Sequence, residues 1–109
     1  MKMKIFLKWK IWRIEGGLKG LLKQKDIKPY VWFFGAYYID PKSLVFVVGV
    51  PLDSERERLR SDIDFNNDMR RLLVTYNWPF EARKHVHFDI ESQETVDREN
   101  NGNWWYHYK

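Results

Sequence analysis

The chain has 109 residues, no cysteine, a formal net charge of +4 and an aromatic content of 17%. This length fits a single domain, residues 1–109, with one core, and the absence of cysteine excludes disulfides, thiolate zinc sites and thiol nucleophiles. Since a cysteine-free chain fits a reducing compartment, and no segment approaches the roughly 18 unbroken apolar residues of a membrane span, we expect a cytoplasmic protein without a membrane partner.

The charge is distributed unevenly along the chain. Residues 1–28 carry nine Lys and Arg against Glu15 and Asp26, a net charge of +7, whereas the remaining residues carry ten against thirteen acids, a net charge of −3. A basic pole of this kind can steer anionic partners toward the protein. It can equally be a lysine-coated edge that discourages aggregation, and this second interpretation is favoured.

Residues 3–14 alternate between apolar and mostly basic side chains. This period of two predicts a first strand, because on a helix the lysines would scatter around the axis. Gly16 and Gly17 are predicted to end the strand. The leucines that follow, interleaved with lysines, predict a short helix that reaches about Lys25.

A β-hairpin is predicted next. Tyr30 to Ile39 reads as a second strand that is apolar or aromatic on both faces. Residues 40–43, with proline at the first central position, predict a turn. The valine-rich segment from Leu44 to Val50 is the returning strand.

A long helix with a break is predicted after the hairpin. Ser54 and Glu57 have the spacing of a capping box, which predicts the start of the helix. The apolar pattern slips near residues 62–64, which predicts a kink or break there, and Asn77 with Pro79 predicts the end. The residues expected to be buried are Leu59, Ile63, Phe65, Met69, Leu72, Leu73 and Tyr76.

A fourth strand with one wet face is predicted around residues 85–91. Apolar residues at positions 86, 88 and 90 alternate with polar ones, which are His85, His87, Asp89 and Glu91. Residues 93–99 fit either a short helix or a continued strand. Asn101 and Gly102 then predict a tight turn into the aromatic C-terminus.

This order of elements is that of the ferredoxin-like βαββαβ fold, an α+β two-layer sandwich. It predicts an antiparallel sheet with both helices on one face, and an aromatic C-terminal extension that could add a fifth strand. The likeness is one of architecture, and this layout serves many unrelated functions.

The C-terminus carries five consecutive ring-bearing residues, Trp104 to Tyr108. Such a segment is expected to pack on the domain or to form a contact surface. The hairpin strands are apolar on both faces, so the sheet face opposite the helices needs a cover, either the tail or another protein surface. The residues predicted to form the interaction surface are Trp32, Phe34, Tyr38, Trp104, Trp105, Tyr106 and Tyr108.

These features favour a non-catalytic protein-interaction module with an inhibitor, immunity or regulatory type of role. We expect either a homodimer or a complex with a partner protein, formed through the sheet face opposite the helices near Tyr30 to Ile39. No cofactor and no catalytic residue is predicted.

Two other functions fit parts of the sequence. A single-stranded nucleic-acid-binding module would stack bases on the open sheet face beside the basic first strand, and its candidate residues are Lys4, Lys8, Lys10 and Trp12. A small enzyme or a metal or ligand binder would use the face formed by His85, His87, Asp89 and Glu91, with His85 and His87 as weak metal candidates because no third ligand has a recognisable spacing.

Overall fold

A computed structural model describes the backbone of residues 2–109 and the side chains from Phe6 onward. The elements in chain order are α1 (Lys2–Gln24), β1 (Tyr30–Phe34), β2 (Val45–Val50), α2 (Asp53–Arg60), α3 (Ile63–Thr75), β3 (His87–Ser92), α4 (Gln93–Asn100) and α5 (Trp104–His107). Short 3-10 segments occupy Pro41–Ser43 and Phe80–His85. Within residues 2–109 the strands form a mixed three-stranded sheet in the order β1-β2-β3, which confirms the α+β class.

The predicted first strand at residues 3–14 is wrong, because this segment belongs to α1. The buried side chains of α1 recur at helical spacing on one side, and they are Leu7, Ile11, Ile14, Leu18 and Leu22. Without a strand in this position, the ferredoxin-like order is not found in residues 2–109. The sheet is mixed rather than antiparallel, since β1 and β2 are antiparallel while β2 and β3 are parallel.

The glycines that were expected to end a strand lie inside α1. A Cβ on Gly17 would be 2.5 Å from Leu72 Cδ2, so the absence of a side chain lets α1 approach α3 closely. A Cβ on Gly16 or Gly20 would meet no atom within 4 Å. Gly17 therefore serves helix packing, whereas Gly16 and Gly20 have no packing role.

Replacing Gly16 or Gly20 with alanine is expected to stabilise the protein by about 0.5–1 kcal/mol each, because alanine loses less backbone entropy in a helix than glycine does. Gly17→Ala should gain less, since the new methyl group would displace Leu72. Urea unfolding of the single variants measures these differences. Destabilisation by both Gly16→Ala and Gly20→Ala would contradict a continuous α1, because only a turn in this place would penalise alanine.

The predicted hairpin is confirmed, with a shorter first strand. β1 ends at Phe34, and Gly35 adopts a φ of 106°, a conformation that favours glycine. A Cβ at Gly35 would also lie 1.9 Å from the Ser43 carbonyl oxygen. Asp40 starts the 3-10 segment of the connection by accepting a hydrogen bond of 3.0 Å from the Lys42 N–H. Residues 36–39 therefore form part of the connection and not of the strand.

The helix after the hairpin begins slightly earlier than predicted. α2 starts at Asp53, and the Glu55 carboxylate accepts a hydrogen bond of 3.1 Å from the Leu52 N–H. This contact takes the place of the expected pair formed by Ser54 and Glu57. The acid still performs the same task, since it satisfies a backbone N–H that has no partner within the helix.

The predicted break near residues 62–64 is confirmed. α2 ends at Arg60, and Asp62 caps α3 by accepting a hydrogen bond of 3.0 Å from the Phe65 N–H. The expected burial of Ile63 is wrong, since this first residue of α3 is 74% exposed. The chain leaves α3 as predicted at Asn77, whose φ is 55°.

The two faces of the sheet have different covers. Side chains of one face join those of α1 and α3 in the core, and the sheet residues involved include Val31, Phe46, Val48, Val50 and Ile90. Paired residues on neighbouring strands share a face, so Trp32, Val47 and Asp89 form one row on the second face. This second face is where the C-terminal tail lies.

Candidate functional site

The C-terminal tail covers the second face of the sheet with two aromatic rings. The Trp104 ring centroid is 5.3 Å from that of Tyr30. The Tyr108 centroid is 5.4 Å from Trp32 and 5.7 Å from Phe34. The two tail rings also stack on each other, with an angle of 9° between their planes. The expected docking of the tail on the domain is confirmed by these contacts.

A sharp turn brings the tail back onto the sheet. Residues 93–99, which fit helix or strand in the sequence, belong to α4, and the cap residue that follows this helix, Asn101, has a φ of 50°. Gly102 follows with a φ of 78°. Asn103 then caps α5 by accepting a hydrogen bond of 3.1 Å from the Tyr106 N–H. The tail is therefore a short helix, and it adds no fifth strand within the described residues.

A buried carboxylate fastens the tail to the sheet. Glu91 is 7% exposed and accepts hydrogen bonds from Arg56 Nη1 at 2.9 Å and from the Ser92 N–H at 2.9 Å. His107 of the tail contacts the same carboxylate through Nε2 at 2.8 Å, and its Nδ1 lies 2.9 Å from Asn100 Nδ2. Burial alone would raise the pKa of Glu91, but the Arg56, Ser92 and His107 contacts outweigh burial and lower it.

Two further hydrogen bonds fix the rings of the tail. The Tyr108 hydroxyl donates to Asp89 Oδ2 at 2.5 Å. Burial, with the neighbouring Asp89 carboxylate, raises the pKa of this hydroxyl, so it stays protonated and remains a donor. Trp104 Nε1 donates to Gln93 Oε1 at 2.9 Å. Both tail rings that face the sheet thus have their polar atoms satisfied, whereas the buried Nε1 of Trp32 beside them has no hydrogen-bond partner among the described residues.

A second polar cluster joins α2 to α4 beside the tail. The Asp53 carboxylate accepts hydrogen bonds from the hydroxyls of Ser92 and Thr95 and from Arg98 Nη1, the last two at 2.8 Å and 3.0 Å. These hydrogen bonds lower the pKa of Asp53 to about 2, and the bond from the Ser92 hydroxyl has the largest effect. The two buried hydroxyls are therefore used as structural donors that hold α4 in position.

The predicted histidine face is not assembled as a ligand set. His85 lies in a 3-10 segment and not on β3. Asp89 and Glu91 are taken up by Tyr108 and His107 of the tail. The polar face of β3 is therefore covered at Asp89 and Glu91, whereas His87 is exposed. In the part of the chain that the structure describes, no group of three or more His, Asp or Glu could hold a metal ion.

The residues predicted to form the interaction surface separate into two groups. Trp32, Trp104 and Tyr108 are partly buried, and the Tyr108 ring contacts both tryptophan rings. The exposed group comprises Phe34, Tyr38, Trp105 and Tyr106. We call the exposed rings on and beside the tail the tail surface; its members are Tyr30, Phe34, Trp105 and Tyr106.

The basic residues proposed for nucleic-acid binding lie on a helix and not on an open sheet. Lys8 and Trp12 are exposed and one helical turn apart on α1. Lys10 Nζ donates to the Asn77 carbonyl oxygen at 2.6 Å, and the side chain of Lys4 lies outside the described residues. The flat sheet platform that would stack bases is therefore not formed by these residues.

Sequence reasoning missed an aromatic surface on α1. The side chains of Phe6, Trp9 and Trp12 are 64%, 54% and 58% exposed, and the Arg13 guanidinium lies 4.5 Å from the centre of the Trp9 ring. We call these four residues the outer face of α1. The strand assignment had placed Trp9 on the same face as Leu7. Helical spacing of the buried residues from Leu7 onward was the signal that could have revealed the surface.

No protein-family model, curated protein or solved structure matches the chain. Among residues 2–109, none of the helices combines the length and the apolar character needed to cross a membrane.

Proposed function

We propose that this chain is a small non-catalytic protein-interaction module whose tail surface binds a second copy of the chain or a partner protein. The observation that supports this function most strongly is that some rings of the tail pack on the sheet while others point into solvent. Trp105 and Tyr106 are 69% and 60% exposed, although their neighbours Trp104 and Tyr108 are anchored to the sheet. Aromatic side chains on a rigid base lose little entropy on binding, and such residues dominate the energy of protein interfaces.

A cavity at the rim of the tail surface supports the same function. It has a volume of about 290 Å³, and Tyr30, Gly49, Pro51 and Trp104 are among its lining residues. A Cβ on Gly49 would lie 2.5 Å from the Tyr30 ring, so the glycine is needed for this ring to lie across β2. The cavity is large enough to receive one large side chain from a partner, as central interface residues require.

The route of self-association follows from what covers the sheet. The sheet face opposite α1 and α3 was predicted to meet either a symmetric copy or the tail, and the chain's own tail occupies that face. A two-fold contact would therefore use the tail surface on both subunits. A stable contact of this kind would bury on the order of 1,200 Å² or more in total. An inhibitor, immunity or regulatory role would use the surface in the same way with a different partner.

A photo-crosslinking phenylalanine analogue at position 105 tests the proposed function in cells. We expect a product of twice the 13.4 kDa chain mass for a copy, or one distinct heavier product for a partner, because the ring would lie at the centre of the contact. The matched control carries the analogue at Ile63, which is equally exposed on α3. Equal products from both positions, or none from position 105, would refute the tail surface as an interface.

A further inference from the structure

The outer face of α1 is a long, regular and unpartnered surface within the described residues. The opposite side of the helix is anchored in the core through Leu7, Ile11 and Leu18. A helix of 23 residues is about 35 Å long. The exposed rings of Phe6, Trp9 and Trp12 therefore project from a rigid, convex rod and not from a mobile segment.

Lys8 and Arg13 flank these rings, further cations follow along the helix, and acids are nearly absent from it. Exposed cations of α1 are Lys8, Arg13, Lys19 and Lys23. Its one acid in the described residues is Glu15, which is partly buried and whose pKa is raised by burial. Residues 1–28 carry a net charge of +7, and the rest of the chain carries −3. The exposed cations on α1 can steer this helix toward an anionic surface.

We propose that the outer face of α1 binds the surface of an anionic lipid bilayer. Tryptophan and phenylalanine rings flanked by Lys and Arg on one side of a helix are the arrangement that inserts at the boundary between headgroups and acyl chains. The long cationic side chains extend from beside the rings to the lipid phosphates. The helix lies along the bilayer and does not cross it.

The competing occupants fit this surface less well. A second copy would bring two basic helices together, and their like charges repel. A nucleic-acid strand binds in a basic groove lined by aromatic residues, whereas the outer face is convex. The cavities beside Trp104 and beside Phe80 are not lined by any residue of α1, so neither extends the outer face of α1 into a groove. The expectation of no membrane partner rested on the absence of a spanning segment, which does not bear on a helix that lies on the surface.

Co-sedimentation with vesicles tests this proposal. Vesicles of phosphatidylcholine and phosphatidylserine in equal parts are expected to bind the protein at least about tenfold more tightly than vesicles of phosphatidylcholine alone. The Trp9→Ser, Trp12→Ser double variant should weaken this binding at least about tenfold, because its rings no longer enter the interface. A triple variant with Lys8→Gln, Arg13→Gln and Lys19→Gln should lose the preference for phosphatidylserine.

The matched control is Trp105→Ser, which removes a tryptophan of similar exposure from the tail. Its vesicle binding should equal that of the wild type, so this test is independent of the tail surface and of the proposed function. Helix content by circular dichroism confirms that each variant is folded. Absence of vesicle binding, unchanged binding in both α1 variants, or binding of only a single-stranded oligonucleotide would each overturn the proposal.

Discussion

Deleting residues 103–109 is expected to destabilise the protein by on the order of 4–6 kcal/mol. The deletion removes the Trp104 and Tyr108 rings from the sheet. Truncating a fully buried aromatic residue costs about 3–5 kcal/mol, and each of these partly buried rings should cost less. It also takes His107 away from the buried Glu91 carboxylate. A small protein has a total stability of about 5–15 kcal/mol, so the truncated chain should be marginally folded and should expose the apolar rows of β1 and β2.

Two double variants show whether the loss of stability comes from the rings that pack on the sheet or from shortening the chain. Trp104→Ala with Tyr108→Ala should reproduce most of the loss, because these rings face the sheet. Trp105→Ala with Tyr106→Ala should change the free energy of unfolding by less than about 1 kcal/mol, because these rings are exposed. Urea unfolding gives both values. Equal effects of the two pairs, or no effect of the deletion, would show that the tail does not cover the sheet.

Replacing Glu91 with alanine is expected to cost up to about 3–5 kcal/mol, since its removal leaves the largely buried Arg56 guanidinium paired only with Glu57 and Asp53. The side chains of Arg56 and His107 are only 16% and 12% exposed, so water cannot fully replace the carboxylate. The control is Glu99→Ala, at an exposed position of α4. Similar melting midpoints for Glu91→Ala and Glu99→Ala would contradict a structural role for the buried carboxylate.

The acid response of the protein provides a second readout for Glu91. Its pKa is lower in the folded protein than the ordinary value of 4.5, so its stabilising effect is present above that value and is lost as the pH falls. Glu91→Ala should therefore lose less stability than the wild type on acidification.

Arg56→Met with Glu91→Leu removes both charges, and we expect it to recover part of the loss of the single variant.

Most of the elements after residue 29 could be predicted from the sequence. The hairpin, the break between α2 and α3, the strand near Phe88 and the turn at Gly102 each depend on local signals, such as proline, capping residues and alternating side chains. The order of strands in the sheet and their mixed pairing could not be predicted, because they depend on contacts between distant segments. The wrong assignment of residues 3–14 then carried the error into the topology.

The α1 error has a specific physical cause. Met3, Ile5, Leu7, Trp9 and Ile11 satisfy a period of two, but Leu7 and Ile11 satisfy the helical period equally well. The glycine pair at positions 16 and 17 predicted a break, whereas both glycines lie inside α1 and Gly17 lets the helix approach Leu72 closely. A longer window that included Leu18 and Leu22 would have favoured the helix.

The candidate site could be predicted in part. The aromatic composition predicted that the tail would dock, but not which rings would face the sheet. The polar side of β3 was read as solvated because Asp89 and Glu91 have no visible partner in the local sequence. Their partners, Tyr108 and His107, come from the tail, and only the fold brings them together.

Hydrogen exchange of the six tryptophan indole N–H groups in one labelled sample tests the central claim most directly. The claim is that the tail covers the sheet and holds Trp105 outward. The indoles of Trp32, Trp78 and Trp104 should exchange slowly, because they are buried or hydrogen-bonded. The exposed indoles of Trp9, Trp12 and Trp105 should exchange quickly. A rapidly exchanging Trp104 indole, or a protected Trp105 indole in the free monomer, would contradict the account.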